Sequence, residues 1–162
     1  MLIRKATCGD LPRMMEIYRQ SQARMVAGGN PSQWPVGHPS EEMVRRDIER
    51  EVSYVVEDSG TVVGVFAFVP GADPTYRVIE QGAWIDDTLP YCTLHRMGRA
   101  EEAHGIAAAC FEWCSERCSS LRADTHRDNL TMQHCLVKAG FRYCGIIHVA
   151  DGTPRLAYQK IL

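Results

Sequence analysis

Between Met97 and Ala107 the chain reads Met-Gly-Arg-Ala-Glu-Glu-Ala-His-Gly-Ile-Ala, a strand end, a short loop and a helix that opens on small residues. A helix start of this kind attracts anions. Its first-turn N–H groups lack partners and its dipole favours negative charge, while Gly105 and Ala107 let a phosphate approach the backbone. A pyrophosphate suits such a junction. Many strand-to-helix turns carry one glycine and bind nothing, so the segment acquires meaning only beside a second element.

Proton-transfer groups lie close to it in sequence. Tyr91, His95, Asp124 and His126 fall on the strand before the loop or on the strand after the helix. Histidine titrates near neutrality, and on an alternating strand His95 shares a face with Tyr91, Thr93 and Met97, so His95, Tyr91 and Asp124 are the catalytic candidates. A half-buried histidine bonded to backbone is the competing reading of His95, and an aspartate that fixes a turn is the competing reading of Asp124. His134 and Cys135 suggest a thiol nucleophile, but neighbours on a helix point about 100° apart. Cys110, Cys114 and Cys118 recur at every fourth position, where cysteine as a small core residue explains the first two more simply than a metal. The six histidines make no metal-ligand spacing, and no metal is expected.

The elements that position these groups follow from periodicity. Leu2 to Ala6 reads as a strand, and Asp10 is placed to cap a helix with Leu11, Met14, Met15, Tyr18 and Met25 on one face. Glycines and prolines from Gly28 to Pro39 mark a loop holding Trp34, and Ser40 with Glu41 and Glu42 restarts a helix. Ser53 to Glu57 and Thr61 to Val69 form a hairpin about Asp58-Ser59-Gly60. Residues 70–90 are irregular, and Tyr91 to Arg99 is the next strand. A helix from Gly105 carries Ile106, Ala109, Cys110, Trp113 and Cys114 as an apolar stripe. Leu121 to Thr125, a helix from Asn129 to Lys138 closed by Gly140, Phe141 to Val149 and Arg155 to Leu162 complete the order β-α-α-β-β-β-α-β-α-β-β. This predicts an α/β fold with a mixed sheet and helices on both faces.

At 162 residues the chain suits one domain spanning 1–162, and with 45% hydrophobic and 23% charged residues it is ordinary globular material. A net charge of −2 with interspersed signs offers no general attraction to nucleic acid or to an anionic membrane. The start Met-Leu-Ile-Arg lacks a signal-peptide pattern, and seven cysteines form no Cys-x-x-Cys pair, so a cytoplasmic protein with reduced thiols is expected.

The second element is Asn129-Leu-Thr-Met-Gln-His-Cys-Leu-Val-Lys-Ala-Gly-Phe141. Together the two segments resemble the GNAT superfamily of N-acetyltransferases. That family has a phosphate loop Gln/Arg-x-x-Gly-x-Gly/Ala, then a strand, then Asn-x-x-(Ala/Met)-x-x-(Leu/Phe)-Tyr-x-Lys-x-Gly-Phe. Glu102, Gly105 and Ala107 match the first; Asn129, Met132, Lys138, Gly140 and Phe141 match the second. The resemblance covers essentially the whole chain. It implies a mostly antiparallel central sheet of about six or seven strands with about four helices, and acetyl-CoA as co-substrate.

It also implies that backbone groups around Met97, Gly98 and Arg99 pair with the pantetheine arm like an added strand. Amides from Glu102 through Ala103, His104, Gly105, Ile106 and Ala107 to Ala108 would hold the pyrophosphate, and Asn129 would contact the pantetheine or the helix start. Arg96 and Arg99 are placed to add charge near the phosphates. Two positions depart from the pattern: Glu102 replaces Gln or Arg, and Leu136 replaces the tyrosine that often protonates the leaving thiolate. Trp34 and Trp84 fall in segments that cover the acceptor side, as substrate contacts or as core caps.

The expected activity is acetyl transfer by direct attack of a primary amine of a small molecule, amino acid derivative or peptide. A noncatalytic acyl-CoA-binding module or sensor is the alternative. Strand edges and thiols are compatible with a homodimer.

Overall fold

The computed structural model describes residues 1–162. The strands are β1 (Leu2–Lys5), β2 (Ser53–Asp58), β3 (Thr61–Pro70), β4 (Cys92–Arg99), β5 (Ser120–Thr125), β6 (Arg142–His148) and β7 (Pro154–Ile161), and the helices are α1 (Leu11–Ala27), α2 (Glu41–Glu49), α3 (Ile106–Ser115) and α4 (Leu130–Lys138). All seven strands join one sheet in the order β1-β2-β3-β4-β5-β7-β6, antiparallel except at β4–β5. The β2–β3 hairpin turns through Ser59 and Gly60, both at positive φ, as an Asp-Ser-Gly turn predicts.

Local chemistry explains most boundaries. The Ser40 side chain accepts from the Met43 amide at 3.1 Å and caps α2, and Asn129 does the same for α4 through Met132 at 3.0 Å. Asp10 departs from its expected capping role: its carboxylate takes Arg4 at 2.8 Å and the Thr7 amide at 2.8 Å instead.

The two faces are covered differently. Gly64 and Phe66 of β3 face Ile106 and Trp113 of α3, whereas Val65 and Gly98 face Tyr18 of α1. Helices thus lie on both sides, and Met14, Ile17, Val55, Phe66 and Leu121 form a continuous dry core. The α1 face of β5 and β7 carries no helix. Residues 71–91 cover it, anchored by two buried polar side chains. Gln159 accepts from the Ile85 amide at 2.8 Å and donates to the Asp86 carbonyl at 2.9 Å. The Arg122 guanidinium lies 3.9 Å from the ring centres of both Trp84 and Tyr91 and pairs with Asp87 at 2.9 Å. A long loop without strands of its own is held by these side chains and by one backbone bridge, Glu80 to Ile146 of β6.

Candidate active site

β4 and β5 pair only at Cys92–Leu121 and Thr93–Arg122 and then separate. In β4 the register with β3 slips between Val65 and Ala67, so that Arg96 and Met97 stand opposite Phe66, with Arg96 at φ 50°. This bulge breaks the expected shared face of His95 and Met97. The opening holds two concavities that share Met25, Met97, Asn129 and Met132: a groove of 290 Å³ toward α3 and a cavity of 460 Å³ toward the 71–91 loop.

The groove ends on a helix start with free amides. Gly105 caps α3 at φ 73°, and the first helical bond runs from the Ala109 amide to the Gly105 carbonyl at 3.1 Å, which leaves the amides of Ile106, Ala107 and Ala108 without backbone acceptors. No atom lies within 4 Å of where a Gly105 side chain would begin, so this glycine serves backbone conformation and open approach. Arg24 of α1 lines the groove with a buried Nη1 that has no partner. The Glu102 side chain turns out to solvent toward Arg13 at 3.4 Å, which keeps its charge off the helix start.

The cavity holds an imidazole with a fixed orientation. His95 Nε2 lies 3.0 Å from Asp73 Oδ2, and no other group bonds the ring. A proton on Nε2 toward the carboxylate leaves Nδ1 as a free acceptor. Asp73 is itself pinned, its Oδ1 accepting from the Thr75 amide at 2.9 Å and hydroxyl at 2.7 Å. The His95 contact and these bonds hold its carboxyl down at about 2 against the cost of burial. Asp124 accepts from the Tyr76 hydroxyl at 2.6 Å, and burial beside that carboxylate keeps the phenol well above its ordinary range.

No family model matches the chain, and no curated protein matches it. Among solved structures, a GNAT-family acetyltransferase from Streptococcus agalactiae 2603 superposes with a TM-score of 0.90 at 31% identity, covering 99% of this chain and 95% of that one. The chain belongs to the GNAT family of acetyltransferases. Acyl transfer is the general chemistry of the family, and its fold implies an acyl-CoA donor. A ribosomal-protein-alanine N-acetyltransferase from Brucella melitensis shares the fold at TM-score 0.60 and 24% identity over 100% of both chains. So does a GNAT-like decarboxylase in complex with isobutyryl-CoA, at TM-score 0.65 and 15% identity over 99% of both chains.

Within this GNAT chain the site residues expected from sequence separate into groups. Met97, Gly98, Arg99, Ile106, Ala107 and Asn129 line the groove, whereas Glu102, Ala103, His104, Gly105 and Ala108 form the adjoining loop and first turn. The backbone of Arg99 is already engaged, its amide by Ser21 Oγ at 3.0 Å and its carbonyl by Arg24 at 2.7 Å, so it does not offer the free ladder groups expected of it. The Arg99 guanidinium bonds the carbonyls of Ala100, Glu101 and Ala103 and shapes the loop, and Arg96 pairs with buried Asp47 at 2.8 Å on the cavity side. Neither arginine stands free beside the helix start.

His95, Asp124 and Trp34 line the cavity. Tyr91 and Trp84 do not: the Tyr91 hydroxyl accepts the Asp73 amide at 2.8 Å, and the Trp84 Nε1 donates to the Tyr76 carbonyl at 3.0 Å behind the wall. Both rings are consumed in holding Arg122. Leu136 is fully buried on the cavity wall and supplies no proton. Cys135 lines the groove while His134 is solvent-exposed, as their adjacent helical positions require. Cys110 and Cys114 are core residues, their thiols pushed up by burial, and no cluster of His, Cys, Asp or Glu suited to a metal is present. No helix is long and apolar enough to cross a membrane.

Sequence reasoning missed Asp73, Tyr76, Gln33 and Arg24. Asp73 precedes Pro74-Thr75, an aspartate–proline turn start that signals a bonded carboxylate but not its second partner. Gln33 Oε1 gathers Asn30 Nδ2 at 2.9 Å, Asn129 Nδ2 at 3.0 Å and the Thr125 hydroxyl at 3.4 Å, a convergence with no local signature.

Proposed function

We propose that this GNAT protein is an acetyl-CoA-dependent N-acetyltransferase that acts on the primary amine of a small molecule, amino acid derivative or peptide by direct attack. The observation that carries the reading is the junction of the two concavities at Met97, with an anion-ready helix start on one side and the His95–Asp73 pair on the other.

The donor supplies an activated thioester. The amides of Ile106 to Ala108 and the Arg24 guanidinium fit its pyrophosphate, and Met97 and Asn129 fit its pantetheine arm. His95 Nδ1 takes the proton that leaves the amine as the C–N bond forms and the C–S bond breaks. Asp73 holds the ring in that tautomer, Tyr91 holds Asp73 through its amide, and Asp124 with Tyr76 shapes the wall beside it. Trp34 closes the cavity opposite. The departing thiolate has an ordinary pKa of about 8.5, so the reaction tolerates Leu136 in place of an acid.

Thermal unfolding with saturating acetyl-CoA tests the donor site, since a ligand at 100 times its Kd adds about 2.7 kcal/mol of stability. The upward shift should vanish in Gly105→Glu, and thiol release across an amine panel should follow in the wild type. The buried Leu136 also suits a noncatalytic acyl-CoA sensor, which would bind the donor saturably and release no thiol with any amine.

A further inference from the structure

The two buried arginines of this protein differ in one respect. Arg122 is 1% exposed and has Asp87 at 2.9 Å. Arg155 is 8% exposed, lines the 460 Å³ cavity, and has no carboxylate within ion-pairing distance. Its Nη1 bonds the Thr153 hydroxyl at 3.1 Å and the Pro154 carbonyl at 3.0 Å, and its Nη2 reaches only the Gln33 carbonyl at 3.4 Å. The Asp151 carboxylate on the same cavity acts on Arg155 only from beyond pairing distance, and a buried guanidinium without a direct partner is costly, so an anion that reaches it is bound well.

The surroundings sharpen the point. Ser120, Arg122 and Asp124 on β5 alternate to the same face as Arg155, Ala157 and Gln159 on β7, which puts Arg155 beyond Asp124 on the cavity floor. Asp124 accepts from the Tyr76 hydroxyl and makes no ion pair with Arg155. Arg96 is neutralised by Asp47, and His38 on the same cavity is held below its usual range by burial and by the charges of Arg96 and Arg155. The cavity therefore has an acidic and imidazole wall at Asp73, His95 and Asp124, and, with Asp151 in the same lining, a guanidinium at Arg155 that makes no direct ion pair.

We propose that the acceptor carries a carboxylate in addition to its amine, and that Arg155 binds that carboxylate while the amine is presented to His95. The acceptor class is then an amino acid or a similar amino-carboxylate, and Arg155 is a specificity-determining residue. This rests on the N-acetyltransferase reading and can fail separately from it.

The experiment compares L-amino acids with the matched amines that lack the carboxylate, such as L-phenylalanine with 2-phenylethylamine and L-leucine with isopentylamine, by thiol release. Binding of the corresponding N-acetyl compounds in the presence of coenzyme A is measured by calorimetry. The best amino acid should exceed its matched amine by about tenfold or more in kcat/KM, and its N-acetyl product should bind tighter by a similar factor. Arg155→Gln should erase the preference through KM and leave the affinity for acetyl-CoA unchanged, whereas Arg155→Lys, which keeps the charge, should retain part of it. Equal use of acids and amines would overturn the proposal and leave the enzyme reading standing. If no acceptor releases thiol, the enzyme reading falls, and the anion site stands or falls on whether N-acetyl amino acids outbind N-acetyl amines.

Discussion

Asp73 Oδ2 lies 3.0 Å from His95 Nε2 although one residue belongs to the long loop and the other to the central strand β4. The loop therefore fixes the orientation of the His95 ring. His95→Gln should lower kcat by about 100-fold with little change in donor affinity. Asp73→Asn should cost less, because an amide can bond the ring in either tautomer where the carboxylate selects one. Equal kcat in wild type and His95→Gln would remove His95 from the reaction.

Gln33 ties the α1–α2 loop to the cap of α4. Gln33→Ala strips a shared acceptor from Asn30 and Asn129 and should destabilise the fold by about 1–3 kcal/mol. Because Asn129 borders both concavities, KM should rise for donor and acceptor together. Urea unfolding and two-substrate kinetics check both effects.

Gly105→Ala isolates backbone strain from bulk. The position is open, so the added methyl meets nothing, yet φ 73° disfavours any side chain. The expected loss is about 1 kcal/mol, read by denaturant unfolding. Donor-induced stabilisation should survive in this variant and disappear only in Gly105→Glu.

Acid should destabilise the protein in two stages. Burial lowers His38 and His126 in the folded state, so the unfolded chain binds more protons, and stability falls as pH drops through the ordinary histidine value toward the folded ones. The carboxyls of Asp10 and Asp73 are lowered to about 2, which gives stability that is present above their ordinary value of 3.8 and lost as pH falls toward 2. Melting temperature against pH should show both slopes, and His38→Gln should flatten the first.

The fold was legible because its elements are local. Apolar periodicity, the Asp-Ser-Gly turn, Ser40 and Gly140 each specify their own neighbourhood, and the strand–loop–helix at Met97 to Ala107 shows its free helix-start amides in its own local sequence. The partner of His95 was not legible, since residues 71–91 meet the sheet by paired backbone bonds only at Glu80–Ile146 and otherwise take their shape from Gln159 and Arg122, which lie far along the chain. Tyr91 and Trp84 have residue types that suit an active site, and only the position of Arg122 between them assigns their rings to the scaffold. The bulge at Arg96 uses a positive φ on a residue type that gives no warning of it.

The two-pair contact between β4 and β5 also bears on how the molecule comes apart. The sheet is continuous within β1 to β4 and within β5 to β7, while the seam between them has hydrogen-bonded rungs at one end only. On the proposed reading, a donor laid along that seam would act as a stitch between the two halves. Without it, amides bordering the gap should exchange with solvent well before those of β3 or β7, and with it their protection should converge on that of the rest of the sheet. Occupancy would then add backbone bonds to a seam that is otherwise spanned by the shared core alone.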